Sequence, residues 1–192
     1  SSIVSHAKTL GYTPSSARAS KAIVDGTLNT NHGSLTMPSG TVFSTKVDSL
    51  TYLFSTITDV TKSNTGNSIP FLNTDIYEGT FITTRYTVDS SDIDQRFLLT
   101  DNRADTTTLT VKVQTSSSDS TTTTYTEATD ITQVTASSNV YFLQEVEAGL
   151  FEIYFGDGVI GSALSDGNII ILTYIVSNKS LANGAALFDN AA

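Results

Sequence analysis

The 192-residue chain has no cysteine and no tryptophan, and it contains only two histidines. Without cysteine it can form neither a disulfide scaffold nor a thiolate zinc site, and it has no cysteine nucleophile. His6 and His32 each lack a second histidine at metal-ligand spacing. A Gly-x-Ser-x-Gly nucleophile elbow is also missing. We therefore expect no catalytic residue, no metal and no cofactor.

Charge is scarce and unevenly placed. Only 15% of the residues are charged, and the net charge is −9. Residues 113–192 carry nine acidic groups against Lys179 alone, whereas residues 1–112 are nearly balanced. The sequence shows no basic face that could neutralise phosphates, which argues against nucleic acid and anionic membranes as partners. An acidic half favours a basic protein neighbour, although it can also be a merely solubilising surface.

Serine and threonine dominate what is present, with 25 and 32 residues respectively. Threonine, valine and isoleucine are β-branched and favour strands over helices. The longest nearly unbroken apolar run, residues 169–176, is too short to span a bilayer. The composition predicts a mainly β protein. We expect a two-lobed antiparallel β-sandwich-like architecture with a short N-terminal helix.

Periodicity of two locates the strands. Residues 41–47 and 51–57 flank a tight connection at residues 48–50, which predicts a hairpin. Residues 81–88 alternate, and in residues 108–114 the pattern places Val111 and Val113 inward and Thr108 outward. Residues 150–155 and 169–176 contain more apolar residues than one face of a strand requires, which predicts that both segments are core strands. The polar run Thr115–Thr124 suits a loop, or an exposed strand because threonine has good β propensity.

The domain organisation is predicted from these strands and from breaks in composition. Residues 2–10 have helical spacing followed by Gly11 and Pro14, so residues 1–19 are interpreted as the end of a helical lead-in. We expect residues 20–75 to form the first β lobe, residues 76–180 the second, with a Phe-Gly-Asp-Gly hairpin, and residues 181–192 a tail. Because the chain begins with serine, we expect it to be a piece of a longer polypeptide.

A glycine-rich segment follows the strand predicted at 150–155. It formally matches the dinucleotide motif G-x-G-x-x-G, but no helix follows to meet a pyrophosphate. Asp-Gly pairs between apolar strands are typical of a turn, and we expect Gly158 to have a positive φ. Two of its aspartates could in principle hold Ca²⁺, although their spacing does not fit an EF-hand. The predicted structural turn comprises Gly156, Asp157, Gly158, Gly161, Asp166 and Gly167.

Two further groups of carboxylates are candidates for a site. Asp92 and Asp94 lie among polar residues, so a solvated turn or an ion pair is favoured over a catalytic dyad. Glu145, Glu147 and Glu152 cluster just before the glycine-rich segment. They are the candidate interface residues for a basic neighbour.

Three stretches together resemble the baseplate J-like family, the wedge subunits of contractile-tailed phage baseplates. The first looks like a helix exit into a β domain, the second like a strand pair, and the third like the family's Phe-Gly-Asp-Gly hairpin with its closing strand. They are Ala7–Pro14 with Ala17–Val24, Leu35–Phe43 with Tyr52–Phe54, and Gly149–Gly158 with Gly161, Asp166-Gly167 and Ile169–Tyr174.

The resemblance implies a structural subunit with no catalytic residue, located in the tail baseplate of the virion and assembled in the host cytoplasm. Such a subunit would build the inner baseplate ring around the tail tube and transmit the change that triggers sheath contraction. Its partners would be other wedge proteins and a second copy of itself, with no small-molecule substrate. The alternative is a Ser/Thr-rich β module of a tail fibre or adhesin that binds a receptor or glycan.

Overall fold

The computed structural model describes residues 15–178 and 187–190. This part of the chain is mainly β, as the composition predicted, and its helical segments are two short 3-10 turns at Ile131–Gln133 and Glu147–Gly149. The helix expected at residues 2–10 lies outside the described residues. Residues 15–20, which were assigned to the same lead-in, are not helical.

Fourteen strands follow one another along the described chain. The first seven are β1 (Lys21–Asn29), β2 (Ser34–Met37), β3 (Val42–Val47), β4 (Leu50–Ser55), β5 (Val60–Ser63), β6 (Ser68–Glu78) and β7 (Thr80–Thr87). The others are β8 (Phe97–Leu99), β9 (Ala104–Gln114), β10 (Thr122–Glu127), β11 (Val140–Glu145), β12 (Phe151–Phe155), β13 (Ile169–Val176) and β14 (Asp189–Asn190).

The chain divides into two compact units. The N-terminal unit comprises residues 17–81, 105–108 and the described part of 175–192, and the acidic unit comprises 82–104 and 109–174. The boundary therefore falls near residue 81 instead of 75. The chain also returns to the N-terminal unit twice, which a division into consecutive lobes did not foresee.

The N-terminal unit is built on a sheet of order β1-β6-β4-β3-β14. Strands β3 and β4 form the expected hairpin, with Val47 opposite Leu50. Asp48 and Ser49 both have positive φ, 49° and 68°, which is the geometry of the tight turns whose twist matches that of the strands. Its core centres on buried Phe54, against which Phe188 packs edge-on at 5.0 Å.

Two buried carboxylates of the N-terminal unit accept hydrogen bonds from the segments just before β1 and just after β13. Asp105 is 1% exposed and accepts a hydrogen bond from the Ala19 N–H at 2.8 Å. Glu78 is fully buried, and its Oε2 accepts hydrogen bonds from the Ser177 hydroxyl and the Asn178 N–H, each at 3.2 Å. Both acids act as structural acceptors for neighbouring chain.

Most strands of the acidic unit lie in a seven-stranded sheet of order β7-β13-β9-β10-β11-β12-β8. The pairs β9–β10, β11–β12 and β12–β8 are antiparallel, whereas β10 and β11 pair in parallel. Buried side chains from β9, β12 and β13 form the core, as their apolar patterns predicted. Fully buried Tyr174 places its hydroxyl 3.3 Å from the Thr100 N–H, so its polar end has a partner.

Strand β9 is longer than predicted and differs from its pattern at one end. Val111 and Val113 are buried as expected, but Thr108, predicted to face outward, is only 2% exposed. Its hydroxyl donates to the Asp105 carbonyl at 2.7 Å and accepts from the Ile175 N–H at 2.9 Å. Burial of this hydroxyl is tolerated because both hydrogen bonds are made.

The polar run at residues 115–124 is partly loop and partly strand. Residues 115–121 join the antiparallel strands β9 and β10, and residues 122–124 already belong to β10. Here the Thr115 N–H donates to the Thr121 carbonyl at 2.9 Å, which closes the loop.

Candidate assembly surface

The glycine-rich segment forms a compact loop after β12, and the expectation of a hairpin between β12 and β13 is wrong. Strand β12 pairs with β11 and β8, whereas β13 lies between β7 and β9. The apolar pattern identified both strands but could not give their neighbours, because two core strands with loop residues between them need not pair.

Hydrogen bonds within the loop and to a neighbouring segment fix its shape. The Gly158 N–H donates to the Gly161 carbonyl at 3.0 Å, and the Gly161 N–H donates to the Thr135 carbonyl at 3.0 Å. Asp157 Oδ1 accepts from the N–H groups of Val159 and Ile160 at 2.8 and 3.0 Å. The loop thereby presents Val159, 73% exposed, at the surface.

Two glycines of the loop are required for different physical reasons. Gly158 has φ of 84°, which confirms the positive φ expected of an Asp-Gly turn. Gly156 lacks a positive φ, but a Cβ there would collide with the backbone of Gly161. A close backbone approach, in addition to turn geometry, therefore explains the glycine content.

The aspartates of the segment serve as hydrogen-bond acceptors for the backbone. Hydrogen bonds from the Ile160 and Val159 N–H groups hold the pKa of Asp157 below its ordinary value. Asp166 Oδ1 accepts from the Ser90 N–H at 2.8 Å, which ties the loop to the connection after β7. Within residues 15–178 and 187–190, no three acidic or histidine side chains are grouped as a metal site requires.

Of the three glutamates expected at an interface, Glu152 is placed differently from the prediction. Its residue exposure is 4%, and both carboxylate oxygens accept from Arg96 Nε at 3.0 Å. These hydrogen bonds from the guanidinium hold the pKa of Glu152 below its ordinary value. Glu152 is therefore a buried partner of Arg96 and contributes no free surface charge. Strand alternation could not reveal this because β12 is buried on both faces.

Glu145 and Glu147 remain at the surface, beside the Arg96–Glu152 pair. Glu145 ends β11, and Glu147 begins a 3-10 turn in which Ala148 has φ of 60°. Both glutamates line a cavity of about 620 Å³ together with Arg96. Among the described residues neither glutamate forms an ion pair, so their charges are open to a partner.

Other residues singled out in the sequence have structural surroundings. Asp92 Oδ1 accepts from the Asp94 N–H at 3.1 Å in an exposed turn, and Arg96 pairs with Glu152 instead of with either aspartate. His32 lies in an exposed turn, where its N–H donates to Thr30 Oγ1, and His6 lies outside the described residues. Over residues 15–178 and 187–190, no helical segment has the length and apolar character needed to cross a bilayer.

These features define a mainly β module that exposes the loop after β12 and carries Glu145 and Glu147 at its surface. A scan against protein-family models matches residues 82–186 to the bacteriophage baseplate wedge protein gp6, third domain. The match covers more than half of the chain, and the chain belongs to this family. A search of curated proteins returned no match. The resemblance seen in the sequence is confirmed as far as a baseplate wedge subunit, a structural component of the phage tail baseplate.

Proposed function

We propose that this chain is a structural subunit of a phage baseplate wedge that helps to build the inner baseplate ring around the tail tube. The family match over residues 82–186, which covers the whole acidic unit, carries this proposal. In this role the subunit is assembled in the host cytoplasm, is located in the tail baseplate and transmits the change that triggers sheath contraction. The three stretches that resemble the baseplate J-like family fit the same role.

The acidic unit is the proposed contact surface for a more basic wedge protein. Residues 82–104 and 109–174 contain twelve acidic and four basic residues, and two of the four, Arg96 and Arg103, are paired with Glu152 and Asp101. Most of its carboxylates therefore have no cation to neutralise them. Complementary charge mainly accelerates encounter and selects the partner. Glu145 and Glu147 are the residues we assign to this contact, with Glu152 supporting the surface from beneath.

Reconstitution tests the proposal directly. The purified chain is mixed with the other wedge proteins of the same phage, and the mixture is separated by size-exclusion chromatography with light scattering. We expect the chain to elute in a complex with at least one other wedge protein. Light scattering of the chain alone shows whether it also associates with a second copy. A chain that elutes only as a free species from every mixture would contradict the proposal.

A further inference from the structure

The two edges of the sheet in the N-terminal unit open onto one cleft. Strands β1 and β14 stand at opposite ends of the order β1-β6-β4-β3-β14. Nevertheless, residues of both strands line the same cavity of about 330 Å³. The sheet is therefore curved far enough to bring its two ends to one opening.

The cleft has an apolar lining with little charge. Val24 and Leu28 line it from β1, and Phe43, Phe71 and Phe188 from the rest of the unit. The charged lining residue is Asp25, and its Oδ1 already accepts from the Asn73 N–H at 2.7 Å. A volume near the lower end of the range for binding cavities, about 300 to 1,000 Å³, suits a few apolar side chains.

A buried polar atom in the lining points to a missing partner. Thr74 lies on β6 opposite Val24, lines the cleft and is 3% exposed. Its Oγ1 has no hydrogen-bond partner among the described residues. Buried hydroxyl groups in folded proteins are nearly always hydrogen-bonded, so an orphan of this kind calls for an explanation.

Among the residues that the structure describes, no strand pairs with the outer edge of the nine-residue strand β1, and the register shows which backbone groups point outward. Thr27 lies opposite Pro70 of β6. Proline has no N–H, so this antiparallel pair is a non-hydrogen-bonded one, and the N–H and C=O of Thr27 point away from β6. Ile23 and Leu28 on the same strand are 62% and 50% exposed. Long exposed edges with apolar side chains are sites for pairing with another chain.

The opposite end of the sheet shows which kind of segment fits. Asp189 and Asn190 form a two-residue strand against Ser44 and Phe43 of β3. The preceding Phe188 enters the core beside Phe54. An extended segment with an apolar side chain is therefore accommodated at one edge of this unit already.

We propose that the edge of β1 and its cleft form a docking site for an extended segment of another wedge subunit, added as a strand beside β1. The backbone of the segment pairs with Thr27, and its alternate side chains enter the cleft; they are apolar except for one polar side chain that hydrogen-bonds with Thr74 Oγ1. The inference rests on the proposed function because it takes the donor from the wedge. It assigns this contact to the N-terminal unit, largely outside the matched residues 82–186.

Amide hydrogen exchange tests the docking site in the assembled complex. Mass spectrometry follows the peptide that spans β1 in the isolated chain and in the wedge reconstituted from the other wedge proteins of the same phage. We expect exchange at this peptide to be at least about tenfold slower in the wedge, since the outward amides gain partners. Incorporation into the wedge with unchanged exchange at β1 would overturn the inference and leave the proposed function intact. Failure to incorporate would overturn both.

Two variants separate strand addition from other contacts. Thr27→Pro removes an outward N–H without removing a bond to β6, whereas Thr27→Val keeps the N–H and the size of the side chain. We expect Thr27→Pro to weaken wedge binding by about tenfold or more and Thr27→Val to leave it within about twofold. Equal binding by both variants contradicts strand addition. Slow β1 exchange in the isolated chain that depends on its concentration would show pairing with a second copy instead, and would also overturn the inference.

Discussion

Arg96 Nε lies 3.0 Å from both carboxylate oxygens of Glu152, and it holds there a carboxylate that is only 4% exposed. Arg96 itself is half exposed at the edge of the cavity lined by Glu145 and Glu147. The ion pair thus lies directly beside the proposed contact surface. Because a carboxylate is costly to bury without its partner, substitution of Arg96 should reveal the electrostatic contribution of this pair to the stability of the acidic unit.

Removing the guanidinium should destabilise the fold. We expect Arg96→Met to lower the melting temperature by roughly 2–8 °C, since Glu152 is left buried without its donor. Arg103→Met is the matched control, because Asp101 keeps 28% of its side chain exposed and can be hydrated. Thermal unfolding followed by circular dichroism measures both. A larger effect of Arg103→Met would contradict the assignment.

The same pair predicts a pH dependence. The folded-state pKa of Glu152 is lowered, so the pair contributes stability above the unfolded value of about 4.3, and this contribution is lost as pH falls through the lowered pKa. The difference in stability between the wild type and Arg96→Met should therefore be largest near neutral pH and shrink as the pH falls, because protonation of Glu152 removes the charge that the variant leaves buried without a donor. Urea titrations at each pH measure it, and a difference that grows on acidification would refute the prediction.

Three glycine variants test the account of the loop after β12. We expect Gly158→Ala to cost about 1 kcal/mol because alanine is penalised at positive φ. Gly156→Ala should cost more, because its Cβ meets the backbone of Gly161 and the backbone must shift. Gly33→Ala, where a Cβ meets nothing within 4 Å, is the neutral control. The denaturant midpoint should be lowest for Gly156→Ala, intermediate for Gly158→Ala and highest for Gly33→Ala. Equal midpoints for Gly33→Ala and Gly156→Ala would be inconsistent with the close approach of the backbone at Gly156.

Much of the fold could be predicted from local patterns. Alternation identified β7 and the buried valines of β9, and the short connection at Asp48-Ser49 identified the β3–β4 hairpin. Asp157-Gly158 identified a turn with positive φ, because few other residues adopt that conformation at low cost. These features depend on neighbours in sequence, which is why they could be predicted.

The remaining features depend on contacts between residues far apart in the chain. Sequence alone did not show that β12 and β13 have different neighbours, or that Thr108 is buried. It also counted Glu152 as a surface charge, because its partner Arg96 lies 56 positions away. The sequence did contain one signal, which is the position of Glu152 between apolar residues of a predicted core strand. A charged residue within a core strand generally has a partner.

The acidic surface should influence the rate of association more than the fold. We expect the double variant Glu145→Gln/Glu147→Gln to slow association with the wedge partner several-fold at about 0.05 M salt, and less at about 0.5 M, because screening shortens the range of the charges. Asp119→Asn/Glu127→Gln makes the same charge change at two exposed positions elsewhere in the acidic unit. Stopped-flow or interferometry measures the rates. Equal rates for the two double variants would assign no special role to Glu145 and Glu147.

The central claim is the location of this chain in the baseplate wedge, and labelling of intact virions tests it most directly. A short epitope inserted between Ser117 and Ser118, in the exposed connection of β9 and β10, should leave the sheet intact. Electron microscopy with gold-labelled antibody should then show label at the tail baseplate. Label at the tips of the tail fibres, with none at the baseplate, would contradict the account and favour a receptor-binding module.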